Sequence, residues 1–240
     1  MFKQIKITRI SEEIFDQIKL AIVEGNLRPG DKLPSERELA KELAVSRLPI
    51  REALKILEKA GFIRTRQGGG SYVRSLLADR VYEPLNHIVK ENMEKLFDLM
   101  EVRSEIETWS AYYAAGMATA EDRLRLRSVV DSMKACFEKQ KTPPPQLDMD
   151  FHLAVAHASH NTIQEHLTHT IYNVFAGYFD FLIKNICFNE KYQQAVYRQH
   201  AGIYDAIVRQ DAEESRKRTE EHLAFIDREL RRRSKVEQGG

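Results

Sequence analysis

The sequence predicts a mainly α protein: an N-terminal winged helix-turn-helix followed by an all-α helical bundle. Three observations carry that expectation. Two short amphipathic helices meet at a tight turn before residue 60, and two short strands follow them. Beyond residue 79 every long stretch reads helical, with no strand signal of any length. Charge divides at the same place: residues 1–75 hold 15 Lys+Arg against 10 Asp+Glu, leaving 22 against 26 for the other 165. A basic module on an acidic body suits a polyanionic partner for the first part only. The expected domains are therefore residues 1–75 and 79–233.

Ile10–Glu24 reads as an amphipathic helix, with Ile14, Ile18 and Ile22 spaced by four, Ser11 as its cap and Gly25-Asn26 as its end. Residues 27–34 turn around Pro29-Gly30 and close at Pro34. Ser35 and Glu38 form a capping box that opens a short helix carrying Leu39, Ala40 and Leu43. Ala44-Val45 turns the chain into Ser46–Ala60. There Ser46 suits the N-cap, Pro49 fits the first turn, and Ile50, Ala53, Leu54 and Leu57 make an apolar stripe. Gly61 ends that helix. Phe62–Arg66 and Ser71–Val73 read as strands around the turn Gln67-Gly68-Gly69-Gly70.

Arg47 and Arg51 lie four apart on one face of the second helix, at the end where the helix dipole disfavours positive charge. A solvated helix face would account for them equally well if the helix stood alone. With the flanking helix and wing, duplex DNA is the fitting partner, since guanine O6 and N7 match the guanidinium fork. The glycine turn, flanked by Arg64 and Arg66, suits the minor groove. The stretch LRPGDKLPSERELAKELAVSRLPIREALKILEKAGFIRTRQGGGSYV resembles the DNA-binding domain of the GntR superfamily of bacterial transcription regulators. That resemblance implies operator contacts by Arg37, Arg47 and Arg51 and entry of Gly68 into the minor groove. Leu48 departs from the family pattern of a threonine or small residue, so a hydroxyl contact to DNA is lost there.

The chain is 240 residues long, 42% hydrophobic and 30% charged, which allows two modest globular domains. It has no apolar run near the roughly 18 residues of a membrane span and no signal-peptide core at its start. Cys136 and Cys187 form no CxxC, which suits buried thiols in a reducing cytoplasm. In the second module, helices are expected over Asp79–Asn92, Met93–Met117, Thr119–Lys139, Gln146–Ser159, Thr162–Phe188, Glu190–Arg209 and Asp211–Arg232, with the last residues, 231–240, frayed or disordered. Residues 141–145, Lys-Thr-Pro-Pro-Pro, form a rigid break. Trp109 and Tyr113 belong to the apolar set of the second of these helices.

All eight histidines fall in the second module. Asp148 and His152 share a helix face, being four apart. His200 and His222 each lie 11 residues from Asp211, at the turn of an antiparallel hairpin, so they stand at one height. One carboxylate and three imidazoles are thus available to a divalent metal such as zinc, nickel or manganese, with capped or half-buried core histidines as the bland alternative. His87, His157, His160, His166 and His169 read as surface or packing residues. The segments LMEVRSEIE, LDMDFHLAVAHASHN and RQHAGIYDAIVRQDAEESRKRTEEHL resemble the effector-binding FCD domain of the FadR branch of GntR regulators. The resemblance implies metal ligands Asp148, His152, His200 and His222, with zinc first among the metals. It also implies an effector-binding arginine at Arg103 and a pocket residue at Asn161. Arg103 has a plainer alternative as a salt bridge to Glu107, and Asn161 as a helix cap.

The expectation is a cytoplasmic, homodimeric transcription regulator, a repressor, that binds double-stranded operator DNA and senses a small carboxylate at a metal-containing pocket. It is not expected to be an enzyme. A metal sensor and a metal-dependent enzyme are the alternatives.

Overall fold

The computed structural model describes residues 10–66, 68–75, 84–89, 92, 94–139, 143–176 and 190–238, with side chains to 232. The expected linker residues 76–78, part of Asp79–Asn92, Lys141-Thr142, the second half of Thr162–Phe188 and Cys187 lie outside them. The chain splits into two compact units, Met1–Asp79 and Arg80–Gly240.

The first unit holds α1 (Ile10–Val23), α2 (Glu36–Glu42), α3 (Arg47–Lys59), β1 (Ile63–Arg66) and β2 (Gly70–Val73). Ile14, Ile18 and Ile22 of α1 pack with Leu39, Ile50, Ala53, Leu57, Ile63 and Val73 into one apolar core. That core fixes the angle between the helix pair and the wing. Ser11, expected as a cap, is buried inside the first turn of α1. Ser35 and Glu38 do make the reciprocal capping box. Ala44 turns the chain between α2 and α3 with φ of 53°, a left-handed conformation costly for a residue with a Cβ. The strands pair antiparallel, Ile63 opposite Val73 and Arg66 opposite Gly70.

The second unit has a helical stretch over residues 84–89, then α4 (Glu94–Met117), α5 (Ala120–Glu138), α6 (Pro145–Ala158), α7 (Thr162–Ala176), α8 (Glu190–Val208) and α9 (Ala212–Gln238). Thr119 and Asp122 cap α5 as a box, and Pro145 opens α6 at a position where its missing N–H costs nothing. One core lies among α4, α5, α6 and α8, around Leu126, Phe151, Val155 and Ile207. A second gathers Leu96, Met100, Ile171, Phe175 and Leu230. One expectation needs correction. Helix α9 continues to Gln238, because Arg-Arg-Arg-Ser-Lys-Val-Glu-Gln lacks any helix breaker before Gly239. On α4, Trp109 and Tyr113 of the apolar set are exposed, with Val102 and Met117, while the buried face of this helix includes small side chains such as Ala111, Ala114 and Ala115.

Candidate metal centre and nucleic-acid interface

In the first unit Arg37, Arg47 and Arg51 are all exposed. Arg51 Nε donates to Glu36 Oε1 at 3.0 Å and its Nη2 to Oε2 at 2.9 Å, while Arg47 Nη2 donates to the same Oε2 at 3.0 Å. The two guanidiniums hold the Glu36 carboxyl down at about 2, against a small opposing effect of burial. The unfavourable placement of two arginines at the start of α3 is therefore offset within the molecule, and by itself no longer argues for an outside partner. Ser46 has the N-cap conformation but makes no side-chain cap bond; the negative charge near this end comes from Glu36. Leu48 stands 65% exposed between the two arginines. On the wing, Arg64 and Arg66 are exposed and the Arg66 guanidinium lies 5.1 Å from the Tyr72 ring centre. Gly68 has φ of +73° at the exposed turn, where any side chain would be strained although the space is open.

The second unit brings Asp148, His152, His200 and His222 together, with one ligand atom from each lying within 4.8 Å of all the others. Helix α6 supplies the first two, α8 and α9 the others. All three histidines are buried, at 3%, 0% and 0% exposure. Their Nε2 atoms form a triangle with every side 3.2 Å. Asp148 Oδ1 lies 3.5 Å from His200 Nε2 and 4.0 Å from His152 Nε2.

Hydrogen bonds cannot run along all three sides of this triangle at once. A ring nitrogen is either a donor or an acceptor, and donors and acceptors cannot alternate around three corners. The outer nitrogens sharpen the conflict. His152 Nδ1 stands 2.7 Å from Glu107 Oε2. Burial works to raise the Glu107 carboxyl, but Arg103 and His152 outweigh it and hold it at about 2, so the proton of that contact sits on Nδ1. His222 Nδ1 lies 2.9 Å from Gln199 Oε1, an oxygen that can only accept. As neutral rings, both aim Nε2 lone pairs inward, which leaves the 3.2 Å side between them without a hydrogen bond. Burial and the neighbouring imidazoles push His200 and His222 well below the ordinary histidine range, which keeps them neutral. Nitrogens held about 2.0–2.1 Å from one ion stand roughly 3 Å apart, so a divalent cation fits the set as it stands. Three imidazoles and one carboxylate, with Glu107 and Gln199 against the outer nitrogens of two of the rings, are a donor set suited to zinc or a neighbouring transition metal.

Behind the triangle, Arg103 Nε donates to Glu107 Oε1 at 2.7 Å and Nη2 donates to the Tyr172 hydroxyl. Arg103 is 5% exposed. Burial opposes its charge, but Glu107 and Tyr172 more than compensate. The fork expected to be open for an effector is thus already two-thirds used; Nη1 makes no hydrogen bond among the described residues. Asn161 is exposed, and its Oδ1 accepts from the Gln164 amide at 3.1 Å, capping α7. Glu107, Gln199 and Tyr172 are the residues sequence reasoning passed over as parts of this site.

A second cluster lies in the same unit. Buried His157 has Nε2 3.4 Å from Asp122 Oδ1 and Nδ1 3.2 Å from Glu165 Oε2, and His160 Nε2 lies 3.0 Å from Asp122 Oδ2.

A winged helix-turn-helix with paired arginines, joined to a helical unit with a buried polar centre, defines a DNA-binding, effector-controlled transcription regulator. Residues 10–73 match the family described as bacterial regulatory proteins, gntR family, and residues 98–225 match the FCD domain. The chain is 33% identical over 93% of its length to the putative L-lactate dehydrogenase operon regulatory protein of Escherichia coli K12, covering 87% of it. It is 32% identical to the Glc operon transcriptional activator of the same strain, with 92% of this chain and 89% of that one covered. The solved Streptococcus agalactiae GntR structure matches with a TM-score of 0.54 at 23% identity, over 91% of this chain and 99% of that one; this likeness concerns the fold alone. The chain belongs to the GntR family of transcription regulators and carries an FCD domain. No helix among the described residues is long and apolar enough to cross a membrane.

Proposed function

We propose that this regulator holds a divalent metal, zinc first, on Asp148, His152, His200 and His222, and that a small hydroxy- or keto-carboxylate of about the size of L-lactate binds there as effector. The observation that carries the reading is the triangle of buried imidazole nitrogens, in which His152 and His222 turn Nε2 lone pairs toward each other at 3.2 Å. The name of the lactate-operon relative supports the size of the acid. The three imidazoles are buried, whereas the Asp148 side chain is 36% exposed, so the acid approaches from its side. Four protein ligands leave positions in an octahedral shell for a carboxylate and the oxygen beside it. Arg103 contributes the charge behind Glu107 and, through Nη1, a donor to the acid.

Residues 1–75 are the DNA-reading domain in this proposal, with Arg37, Arg47, Arg51, Arg64, Arg66 and Gly68 at the operator. Residues 79–233 form the effector and dimer domain. The exposed stripe of Val102, Trp109, Tyr113 and Met117 is apolar surface that a second copy of the chain would cover, and two copies suit a pseudo-palindromic operator. The protein acts in the cytoplasm, as a repressor released by its acid, and not as an enzyme. A thermal-shift series of small carboxylates, with and without a chelator, tests the effector reading. The expected result is stabilisation by a hydroxy- or keto-acid that vanishes when metal is stripped; equal stabilisation of stripped protein would make the metal structural only. Arg103→Lys, which keeps charge but loses the planar fork, is expected to weaken the acid and leave metal content unchanged.

A further inference from the structure

The Glu36 carboxylate occupies an unusual place. It is the first residue of α2, where a negative charge is favourable, yet it lies beside the two arginines assigned to the operator. A carboxylate at a DNA-facing surface repels phosphate, so its presence there works against affinity. Its geometry is informative. It takes the Nε and Nη2 edge of Arg51 in a paired contact at 3.0 and 2.9 Å, and one terminal nitrogen of Arg47 at 3.0 Å. Arg51 Nη1 and Arg47 Nη1 make no hydrogen bond among the described residues. The arginine side chains remain 51% and 61% exposed while Glu36 is 28% exposed, so the guanidiniums lie outside the carboxylate.

From this arrangement we propose that Glu36 is a specificity-determining residue: it buttresses Arg51 and Arg47, fixing their guanidinium planes so that their outer edges face the bases, while cancelling one positive charge that would otherwise serve any phosphate. Guanidinium rotation about a long side chain is what weakens base discrimination by exposed arginines, because a mobile fork reaches phosphates as readily as O6 and N7. A paired contact on one edge leaves the end-on edge able to form a second pair with guanine. It also leaves the recognition surface with a net charge of one from these three groups. Non-specific affinity, which follows the number of neutralised phosphates, is thereby lowered as specific geometry is gained.

The inference rests on the assignment of Arg47 and Arg51 to the operator, and the test separates the two. The full-length protein is used to select a duplex from a random-sequence library. Binding of wild type, Glu36→Gln, Glu36→Ala, Arg47→Ala and Arg51→Ala to that duplex and to its scrambled permutation is then measured across a salt series. Both Glu36 variants are expected to bind the scrambled duplex more tightly, with the slope of log K against log salt steeper by about 0.9. Their selected-to-scrambled ratio is expected to fall roughly tenfold, within the range one bidentate pair supplies. A ratio that stays at the wild-type value overturns the buttress, whether both affinities rise together or only thermal stability falls. If Arg47→Ala and Arg51→Ala leave the ratio unchanged, the operator assignment fails instead.

Discussion

His157 and His200 are both buried histidines of the helical unit, yet their ring nitrogens face opposite kinds of atom. His157 has a carboxylate against each nitrogen, Asp122 on one side and Glu165 on the other. Thr119 adds hydrogen bonds to Asp122 that, with His160 and His157, outweigh burial and hold that carboxyl below its ordinary range. Every contact there sets an imidazole nitrogen against a carboxylate oxygen, so the cluster closes on itself. His200 instead has Nε2 atoms of His152 and His222 each 3.2 Å from its own Nε2, and its Nδ1 is buried with no hydrogen-bond partner among the described residues. A count of histidines and acids would rank the two clusters as equals. What separates them is whether imidazoles face carboxylates or face one another around a common point. The second arrangement suits a cation.

The largest effect that could break this contrast is loss of the metal. His200→Ala and His222→Ala are each expected to abolish stoichiometric zinc, whereas His157→Ala, His166→Ala and His169→Ala retain it; elemental analysis of purified variants decides. A full complement of metal in the His222→Ala protein would mean that the triangle is not the ligand set. Next in size comes the residue behind the site. Glu107→Gln keeps the shape but no longer demands a proton from His152 Nδ1, so metal affinity should fall about 10–100-fold, as for outer-shell partners generally. Competition with a chromophoric chelator measures it, and an unchanged affinity would remove Glu107 from the site. The self-contained cluster behaves differently. His157→Ala strips two buried carboxylates of a shared partner and should cost roughly 1–3 kcal/mol of stability with no change in metal affinity. Urea unfolding of the metal-loaded protein reads the first quantity and chelator competition the second.

Much of this was legible in the sequence, for identifiable reasons. Capping boxes at Ser35 and Thr119 are local chemistry, so the starts of α2 and α5 were readable. The equal spacing of His200 and His222 from Asp211 uses only the helical rise and a tight turn, and Asp148 and His152 need only a shared helix face. What spacing does not carry is the contact between helices distant in the chain. Glu107 was visible as a partner four residues from Arg103, but its other oxygen reaches His152 on α6. Gln199 gave no signal beyond adjacency to His200. Glu36 looked like an ordinary first-turn acid, because its bonds to Arg47 and Arg51 span 11 and 15 residues and a helix junction. Trp109 and Tyr113 joined the apolar set of α4 on periodicity, which identifies an apolar stripe but not which of two stripes is covered. Asn161 shows the converse: its cap on α7 is a purely local motif, readable from its spacing to Gln164.

The smallest expected effect concerns protons, and it sharpens the comparison most directly. In metal-free protein, burial and the facing imidazoles hold His200 and His222 well below 6.5, the ordinary value, so the folded state resists protonation there. The unfolded chain takes up these protons near pH 6.5. Between that pH and the lower folded values, the unfolded state binds more protons, and stability falls as pH falls. The stabilisation is thus complete above about 6.5 and is lost progressively on the acid side. Over half a pH unit below 6.5 each such group costs at most about 0.7 kcal/mol, the limiting slope being one proton. The measurement is the urea midpoint of stripped protein from pH 7.5 to 5.5, beside His200→Ala and His222→Ala, in which the decline should be shallower. Metal-loaded protein need not follow the same curve, because the ion competes with the proton for the same lone pairs. Should the stripped wild type hold its midpoint flat down to pH 5.5, the triangle would be accepting a proton in place of the ion. The three nitrogens would then form a site for positive charge of either kind rather than one reserved for a metal.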